Sequence, residues 1–271
     1  DRVASRGLGD VYKRQDNGKD QLKASVHNFP MEVFFLRNGD IPKYIRDGVV
    51  DLAIVGENLL MEKGMDLNVI ERLGFSKCRV SIAFPKGVEF MGVQDLQGKR
   101  IATSYPNTVK IFLEKNNIKA DLHIINGSVE IAPNIGLADA ICDIVSSGST
   151  LFKNNLKEVV EIATSQAVLV QGNSLTNDQR EIINKLRFRV QSVLRAKKSK
   201  YILLNAPNDK IEAISLILPV LKSPTVLPLA KIGWSSLHSV INAEDFWEVI
   251  DQLKDAGAED ILVCPIEKMV L

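Results

Sequence analysis

Residues 139–150 read DAICDIVSSGST, and this stretch runs from a buried strand into a polar loop. Apolar residues surround Asp139 and Asp143, and the small residues 146–150 follow them. Side chains alternate between the two faces of a strand, so Asp139 and Asp143 would share a face if the strand includes both. A short apolar strand that ends in a loop and a helix start is the unit from which α/β folds are built.

Further strand and helix patterns lie on both sides of this stretch. Strands are predicted in MEVFFLR, VVDLAIVG, CRVSIAFP, GKRIATSYP, DLHIING, ADAICDIV and EVVEIATSQAVLV. Asp40 is the expected N-cap of a helix that has Pro42 in its first turn and ends at Gly48. A long helix is predicted in TNDQREIINKLRFRVQSVLRAKKS, capped by Thr176 or Asn177. Strands that alternate with helices indicate α/β layers around a largely parallel sheet.

The order of elements changes after Lys200. Strand, helix, strand, strand, helix and strand are predicted in KYILLNAP, NDKIEAISLILPVL, PTVLPLA, WSSLHSVI, AEDFWEVIDQLKDAG and DILVCPIEKMV. This β-α-β-β-α-β order is the ferredoxin-like arrangement. We therefore predict a separate C-terminal domain with that fold.

The composition excludes several classes of protein. The 271 residues are 45% hydrophobic and 25% charged, which is ordinary for a globular protein. A formal net charge of +1 leaves no basic excess for a general nucleic-acid surface. No run approaches the roughly 20 apolar residues of a membrane span, and no leader pattern opens the sequence. Three scattered cysteines, Cys78, Cys142 and Cys264, favour a reducing cytoplasm over a disulfide framework or a metal cluster.

The first residues stand apart from the rest of the chain. Residues 1–15, DRVASRGLGDVYKRQ, have neither helical nor strand periodicity and do not lead naturally into the residues that follow. We predict that they are a non-native tail and leave them out of the fold. A native, disordered tail is the alternative interpretation.

The stretch 139–150 also carries chemistry. A carboxylate such as that of Asp143, at the carboxyl end of a parallel strand, lies where α/β folds bind ligands and can accept hydrogen bonds from sugar hydroxyls. Residues 147–150 combine hydroxyls, Gly148 and the free N–H groups of a helix start, which suits an anion. The pairing indicates a phosphorylated ribose. The alternative is a strand end followed by an ordinary Ser/Thr helix cap.

The segment NGSVEIAPNIGLADAICDIVSSGSTL resembles the phosphoribosyl-pyrophosphate (PRPP) site of the ATP phosphoribosyltransferase family. DGVVDLAIVGENLL, CRVSIAFP, GKRIATSYP, LLNAP, LKSPTVLPLA and ILVCPIEKM resemble the same family, in its order, from about Asp16 to the C-terminus. The resemblance implies a long-form member: an α/β, two-lobed, periplasmic-binding-protein-like (type II) catalytic core plus a C-terminal ferredoxin-like α+β regulatory domain. Lobe I would comprise 16–84 and 165–195, the PRPP-binding lobe II 85–164, and the regulatory domain 199–271.

The resemblance also implies an activity. The family transfers phosphoribosyl from PRPP to N1 of ATP with release of pyrophosphate, as the first step of histidine biosynthesis, and histidine inhibits it. Mg²⁺ is expected as the cofactor, bound through the substrate with no protein ligand assigned, and a homo-oligomer from dimer to hexamer is expected. The alternatives are a catalytically impaired homologue and a small-molecule-binding protein of the same fold.

Three sets of site residues follow from the resemblance. The PRPP-binding set is Glu130, Asp139, Asp143, Ser146, Ser147, Gly148, Ser149 and Thr150. The ATP side of the cleft would be lined by Asp51, Glu57, Arg79, Arg100, Thr103, Ser104 and Tyr105, with Asp51 and Glu57 both ending a strand of the other lobe. The allosteric histidine site would contain Asn205, which follows a strand, together with Leu221, Ser223 and Thr225.

Blander interpretations of some of these residues stay open on the sequence. Asp51 could be a capped strand end, and Arg79 and Arg100 could be solvated flanks of their strands. The serines of the loop could suggest acyl chemistry, but none of the three histidines, His27, His123 and His238, lies in a hydrolase motif. No covalent nucleophile is therefore assigned.

Overall fold

The computed structural model describes residues 22–218 and 223–270. The predicted tail 1–15 and Leu221 lie outside the described residues. The chain divides into two compact units, 1–179 and 180–271. In the described ranges, no helix combines the length and apolar character that a membrane crossing requires.

From residue 22 onward the first unit contains ten strands with helices among them, as expected for an α/β fold, although β1 (Lys23–Ser25) and β4 (Asn68–Arg72) were not predicted. Its elements are β1 (Lys23–Ser25), β2 (Glu32–Phe34), α1 (Ile41–Arg46), β3 (Leu52–Gly56), α2 (Glu57–Lys63), β4 (Asn68–Arg72), β5 (Cys78–Pro85), β6 (Arg100–Thr103), α3 (Pro106–Lys115), β7 (Asp121–Ile124), β8 (Ala140–Val145), α4 (Ser149–Lys153), β9 (Leu156–Ser165) and β10 (Ala167–Gln171), with 3-10 turns at Val93–Leu96 and Val129–Ile131. Helix α5 (Asn177–Lys197) begins in this unit and continues into the second.

Local signals set the helix ends as predicted. Helix α1 follows its N-cap Asp40 and has Pro42 in its first turn. Before α5, the Thr176 Oγ1 accepts a hydrogen bond from the Gln179 amide (3.2 Å), while the Thr176 amide donates to the Gln179 side chain (2.8 Å). This reciprocal pair is a capping box, and it confirms Thr176 as the cap.

The strands of the first unit form three sheets. Strands β1 and β2 form an antiparallel pair, and β3-β10-β4 form an antiparallel three-stranded sheet. The third sheet has the order β7-β6-β8-β5-β9; β6 is parallel to β7 and β8, whereas β5 is antiparallel to β8 and β9. The predicted largely parallel sheet is therefore wrong. An apolar run shows that both faces of a strand are covered, but it does not give the strand's direction.

Two features of the sheets bear on the lobes. The strand segment EVVEIATSQAVLV contributes to two strands, β9 and β10, which lie in different sheets on either side of Gln166. Strand β5 pairs with β8 and β9, so pairing groups residues 78–84 with the five-stranded sheet rather than with lobe I. The lobe limits themselves stay a prediction.

Apolar layers cover both faces of the five-stranded sheet. Val80, Ile82 and Ile101 belong to one buried cluster, and Ile141 and Val145 belong to the cluster on the opposite side. Burial of both faces holds the strands in a fixed register, so the residues at the strand ends have fixed positions.

The second unit has the predicted ferredoxin-like order. Its elements are β11 (Ser199–Pro207), α6 (Ile211–Ile217), β12 (Thr225–Pro228), β13 (Trp234–Asn242), α7 (Phe246–Asp255) and β14 (Glu259–Pro265), with a 3-10 turn at Asn208–Lys210. The sheet order is β12-β13-β11-β14 with antiparallel neighbours. Ile202, Leu204 and Leu237 pack with Ile214 and Leu253 of the helices, so one sheet face is buried by α6 and α7.

Candidate functional site

The carboxyl ends of three neighbouring parallel strands meet at one edge of the five-stranded sheet. Ser104 and Tyr105 follow β6, Glu130 lies in the 3-10 turn after β7, and Asp143 lies near the end of β8. This edge is where open α/β sheets bind ligands. The parallel pairing therefore brings together residues that are far apart in the sequence.

A cavity of about 160 Å³ opens at this edge beside β8. It is lined by Glu130, Ile141, Asp143, Ile144, Val145, Ser146, Ser147, Gly148, Ser149, Thr150 and Leu151. Seven of the eight residues predicted to bind PRPP line it, the exception being Asp139. The lining of the cavity therefore combines two carboxylates with a loop of hydroxyls.

The 146–150 loop is ordered by its own hydrogen bonds and by one glycine. The Ser147 hydroxyl donates to the Ser149 hydroxyl (3.0 Å), and Gly148 has a φ of +75° immediately before α4. A positive φ favours glycine because a Cβ is strained there. Within the described residues the amides of Gly148 and Thr150 have no acceptor, so they remain available to an anion.

The surroundings of Asp143 raise the pKa of its carboxyl above the ordinary value. Burial raises the pKa of this carboxyl, and the negative charge of Glu130 raises it further, against a hydrogen bond from the Ile144 amide (2.7 Å). Two carboxylates at one cavity repel each other. Any cationic centre between Asp143 and Glu130 would relieve that repulsion.

Arg79 contacts the loop but is paired with acidic residues. Its guanidinium donates to both carboxylate oxygens of Glu158 and to the Ser146 carbonyl (3.2 Å), and Glu161 lies 4.0 Å away. Arg79 therefore joins the loop to β9 and is not a solvated flank of its strand. A direct contact of Arg79 with ATP, whose side of the cleft it was predicted to line, would require it to exchange one of these partners.

Arg100 and Asp139, predicted at different substrates, are bound to each other. The Arg100 guanidinium donates to both Asp139 oxygens (2.7 and 3.2 Å) and to the Gly136 carbonyl (3.0 Å), and the Arg100 amide also donates to Asp139 (2.9 Å). Strand β8 begins at Ala140, so Asp139 precedes it and does not line the cavity. The condition under which Asp139 and Asp143 would share a strand face is not met, since Asp139 lies before β8 and is bonded to Arg100 at the start of β6.

We expect Asp139→Asn to lower the free energy of unfolding at pH 7 by about 1 kcal/mol, since the pair is more than a third exposed and is screened by solvent. Hydrogen bonds from Arg100 lower the pKa of Asp139 from 3.8 to about 2. The stabilisation is therefore complete above about pH 4 and is lost as the pH falls through about 2. Urea unfolding of both proteins at several pH values measures this. A difference that stays constant down to pH 3 would contradict the assignment.

The two acids predicted at one strand end lie at opposite ends of β3. Asp51 is exposed, precedes β3 and accepts a hydrogen bond from the Gln179 side chain (3.0 Å), whereas Glu57 opens α2 and pairs with Arg72 (3.0 Å). The prediction that Asp51 ends the strand is wrong because the strand runs from Leu52 to Gly56. Of the two, only Glu57 is at the carboxyl end.

The remaining ATP-side residues lie at the β6 end. Thr103 is fully buried and accepts a hydrogen bond from the Tyr105 amide (2.9 Å), which fixes the turn into α3. Ser104 is half-buried between them. This turn adjoins the end of β8, since Thr103 pairs with Cys142.

In the second unit, Asn205 and Thr225 lie on the same sheet face, opposite the helices. Asn205 is inside β11, not after it as predicted, because pairing with β13 continues to Pro207. The Asn205 side chain donates to Asp260 (3.1 Å). Ser223 and Thr225 are exposed, with Thr225 at the start of β12.

Sequence reasoning missed four polar residues near the site. Asn58, Ser165 and Glu62 join α2 to α3 and to the end of β9, and Glu158 holds Arg79. Asn58 and Ser165 are more than nine-tenths buried. A polar residue next to apolar ones, as in GENLL, is a sequence signal for a buried hydrogen-bonded side chain, and it could have identified Asn58. Glu62 and Glu158 carry no such signal.

Comparison with known proteins identifies the family. The family model described as ATP phosphoribosyltransferase matches residues 37–192, and the model described as the HisG C-terminal domain matches residues 196–268. The Cytophaga hutchinsonii protein named ATP phosphoribosyltransferase is 55% identical over 254 residues, which cover 94% of this chain and 89% of the relative. The Bacteroides thetaiotaomicron protein of that name is 51% identical over 264 residues, covering 97% and 93%, and this match extends into residues 1–15.

A solved structure agrees with these matches. The ATP phosphoribosyl transferase (HisG:HisZ) complex from Thermotoga maritima superposes with a TM-score of 0.62 at 27% identity, covering 72% of this chain and 95% of that one. The match confirms the predicted α/β fold class of the core. With one family model over more than half of the chain and relatives above half identity, this chain belongs to the ATP phosphoribosyltransferase family, in the form that carries the C-terminal domain.

Proposed function

We propose that this chain transfers phosphoribosyl from PRPP to N1 of ATP, releasing pyrophosphate, and that the cavity beside β8 binds PRPP. One observation carries the site assignment: the Asp143 carboxylate and the 146–150 loop line the same cavity. The carboxylate accepts hydrogen bonds from sugar hydroxyls, and the loop offers hydroxyl and amide donors to a phosphate. A ribose 5-phosphate unit carries both kinds of group.

The loop would hold the 5′-phosphate of PRPP. Its donors are the hydroxyls of Ser147, Ser149 and Thr150 together with the amides of Gly148 and Thr150, which have no acceptor among the residues the structure describes. Arg79 supports the loop from behind through the Ser146 carbonyl (3.2 Å). Asp143 then faces the ribose hydroxyls, while Asp139 stays with Arg100 and has no part in this proposal.

The chemistry needs charge and position rather than a protein nucleophile. Adenine N1 is a weak neutral nucleophile, and positive charge develops on the sugar ring as pyrophosphate leaves. Asp143 and Glu130 place negative charge at the cavity, where it stabilises that developing charge. The ends of β6 and β8 hold the two substrates in line, which supplies the entropic part of the rate enhancement.

The residues fit a Mg²⁺ ion that arrives with the substrate. Two carboxylates, Asp143 and Glu130, line the cavity and are of the oxygen-donor type that Mg²⁺ prefers. Among the described residues no group of three or more acidic, histidine or cysteine side chains is placed to hold a metal without substrate. When bound to the pyrophosphate moiety, Mg²⁺ neutralises charge on the leaving group.

The second unit would bind histidine as inhibitor at the open sheet face. A zwitterion needs an acceptor for its ammonium group, and Asp260, 3.1 Å from the Asn205 side chain, supplies a carboxylate beside the predicted residues. Asp260 has a φ of +49° and lies where the pairing of β14 with β11 shifts register. Ser223 and Thr225 add hydroxyls to this site.

We also propose the lobe limits predicted from the sequence, a homo-oligomer from dimer to hexamer and a cytoplasmic location.

Incubation of the chain with ATP, PRPP and Mg²⁺ should yield phosphoribosyl-ATP, separated by ion-exchange chromatography, and added histidine should lower the rate. Omission of PRPP is the control for nucleotide breakdown. Titration calorimetry with PRPP, run in parallel, distinguishes a binding protein from an enzyme. Binding of PRPP without product would contradict the proposed catalysis and leave a binding function.

A further inference from the structure

A buried chain of three polar side chains joins α2 to the end of β9 and to the start of α3. The Asn58 side-chain amide donates to the Tyr105 hydroxyl (3.0 Å), and its carbonyl oxygen accepts from the Ser165 hydroxyl (3.0 Å). The Asn58 backbone amide donates to the same Ser165 oxygen (2.9 Å). All three residues are less than 9% exposed, so these bonds are shielded from water.

The chain of bonds lies where the polypeptide passes between the two larger sheets of the first unit. Ser165 ends β9 in the five-stranded sheet, and β10 of the three-stranded sheet begins two residues later. At this crossing the Glu57 amide donates to the Gln166 carbonyl (3.0 Å). The Ala167 amide donates to the carbonyl of Phe75 (3.0 Å), which lies in the segment between β4 and β5 that also passes between these two sheets. Asn58 therefore bonds to the crossing and to the five-stranded sheet at once.

Tyr105 is the member of this chain that adjoins the candidate site. It follows the carboxyl end of β6, next to β8 and Asp143. Burial raises the pKa of Tyr105 to about 12, with a further contribution from the charge of Asp143, so the phenol remains a neutral donor. Its oxygen accepts from Asn58, and within the described residues its proton has no acceptor.

A second contact holds the same two helices independently. The Glu62 carboxylate accepts hydrogen bonds from the amides of Asn107 (3.0 Å) and Thr108 (2.9 Å) at the start of α3. This contact involves neither the Tyr105 hydroxyl nor Ser165. Loss of the Asn58 side chain should therefore leave α2 and α3 in contact.

We propose that Asn58 is a positioning residue, which fixes the Tyr105 hydroxyl and the β9–β10 crossing so that the carboxyl ends of β6 and β8 face the bound substrates. The proposal rests on the proposed function, since it concerns the same cavity. Asn58 acts through Tyr105 and touches no substrate itself. The ATP-side turn would otherwise lose its connection to the crossing.

A double-mutant cycle tests this. Asn58→Ala should lower kcat by about 10- to 100-fold while KM for PRPP changes less than about threefold, because a misplaced group costs transition-state stabilisation rather than phosphate binding. Tyr105→Phe should lower kcat similarly, and Asn58→Ala in the Tyr105→Phe background should add less than about threefold, because coupled residues are not additive. Additive losses, or an unchanged kcat in Asn58→Ala, would overturn the proposal.

Glu62→Gln is the matched control, because it removes a charged α2–α3 contact of the same helices without touching Tyr105. It should lower thermal stability by an amount comparable to Asn58→Ala, yet change kcat less than about threefold. The rate of amide hydrogen exchange at residues 165–167 measures the order of the crossing independently of catalysis. This rate should rise in Asn58→Ala and not in Glu62→Gln. An inactive wild type would overturn the proposed function, whereas unchanged exchange at 165–167 would overturn the role of Asn58.

Discussion

Asp143→Asn is expected to lower kcat/KM for PRPP by about 10²- to 10³-fold, which is the typical cost of removing one electrostatic group at a reacting centre. The variant keeps the size of the side chain but removes a negative charge from the cavity that also contains Glu130. Positive charge that develops on the ribose then has one anion fewer beside it. Steady-state rates of phosphoribosyl-ATP formation measure the effect.

The pH dependence provides an internal check on the role of Asp143. Burial and then Glu130 raise the pKa of Asp143, so the acid limb of kcat/KM should lie above the range of an ordinary aspartate. Glu130→Gln removes one of these causes and should move the acid limb to lower pH. Asp66→Asn, at an exposed carboxylate outside the cavity, is the control and should leave the rate unchanged. A rate of Asp143→Asn within threefold of wild type would sink the assignment.

Gly148→Val is expected to raise KM for PRPP by about tenfold or more. The φ of +75° at this position costs a non-glycine residue about 1–2 kcal/mol, and more for a β-branched one. A Cβ added at Gly148 would have only Val145 nearby, at 4.0 Å, so the energetic cost of the substitution comes from the backbone conformation and not from a steric clash. The loop should relax to negative φ and its amides would no longer converge on one phosphate.

A glycine of the same kind outside the cavity gives the matched control for Gly148. Gly87 has a φ of +97°, open space around its Cβ position and an exposed location after β5. Gly87→Val should lower the melting temperature as Gly148→Val does, but should leave KM for PRPP unchanged. Equal effects of both variants on KM would show that the loop conformation is not what binds the phosphate.

Sequence patterns were sufficient for the elements and for the stretch that forms the cavity. The strand ADAICDIV, the loop after it and the long helix capped by Thr176 carry local signals that depend on few residues. The carboxylate of Asp143 is placed by strand position alone. Where the residues that determine an element lie within about one helical turn or one strand, the sequence was sufficient to predict that element.

Long-range partners could not be predicted in the same way. Nothing near Asp139 indicates that Arg100 takes both of its oxygens, because the pair forms only through the parallel register of β6 and β8. The antiparallel direction of β5 in the five-stranded sheet likewise depends on its pairing with β8 and β9, which are distant in the sequence. Asn58 is buried by residues more than forty positions away, so its surroundings are invisible in the local pattern.

The position of β10 at the centre of its sheet has a consequence for synthesis of the protein on the ribosome. Strands β3 and β4 are made early, but among residues 22–218 and 223–270 each pairs only with β10, whose residues Ala167–Gln171 emerge after the whole five-stranded sheet. Until then no other strand in the described part of the chain pairs with β3 or β4, and unpaired strand edges are templates for aggregation. A nascent chain halted before residue 167 should therefore depend on chaperones, and the three-stranded sheet should form only after β10 has emerged.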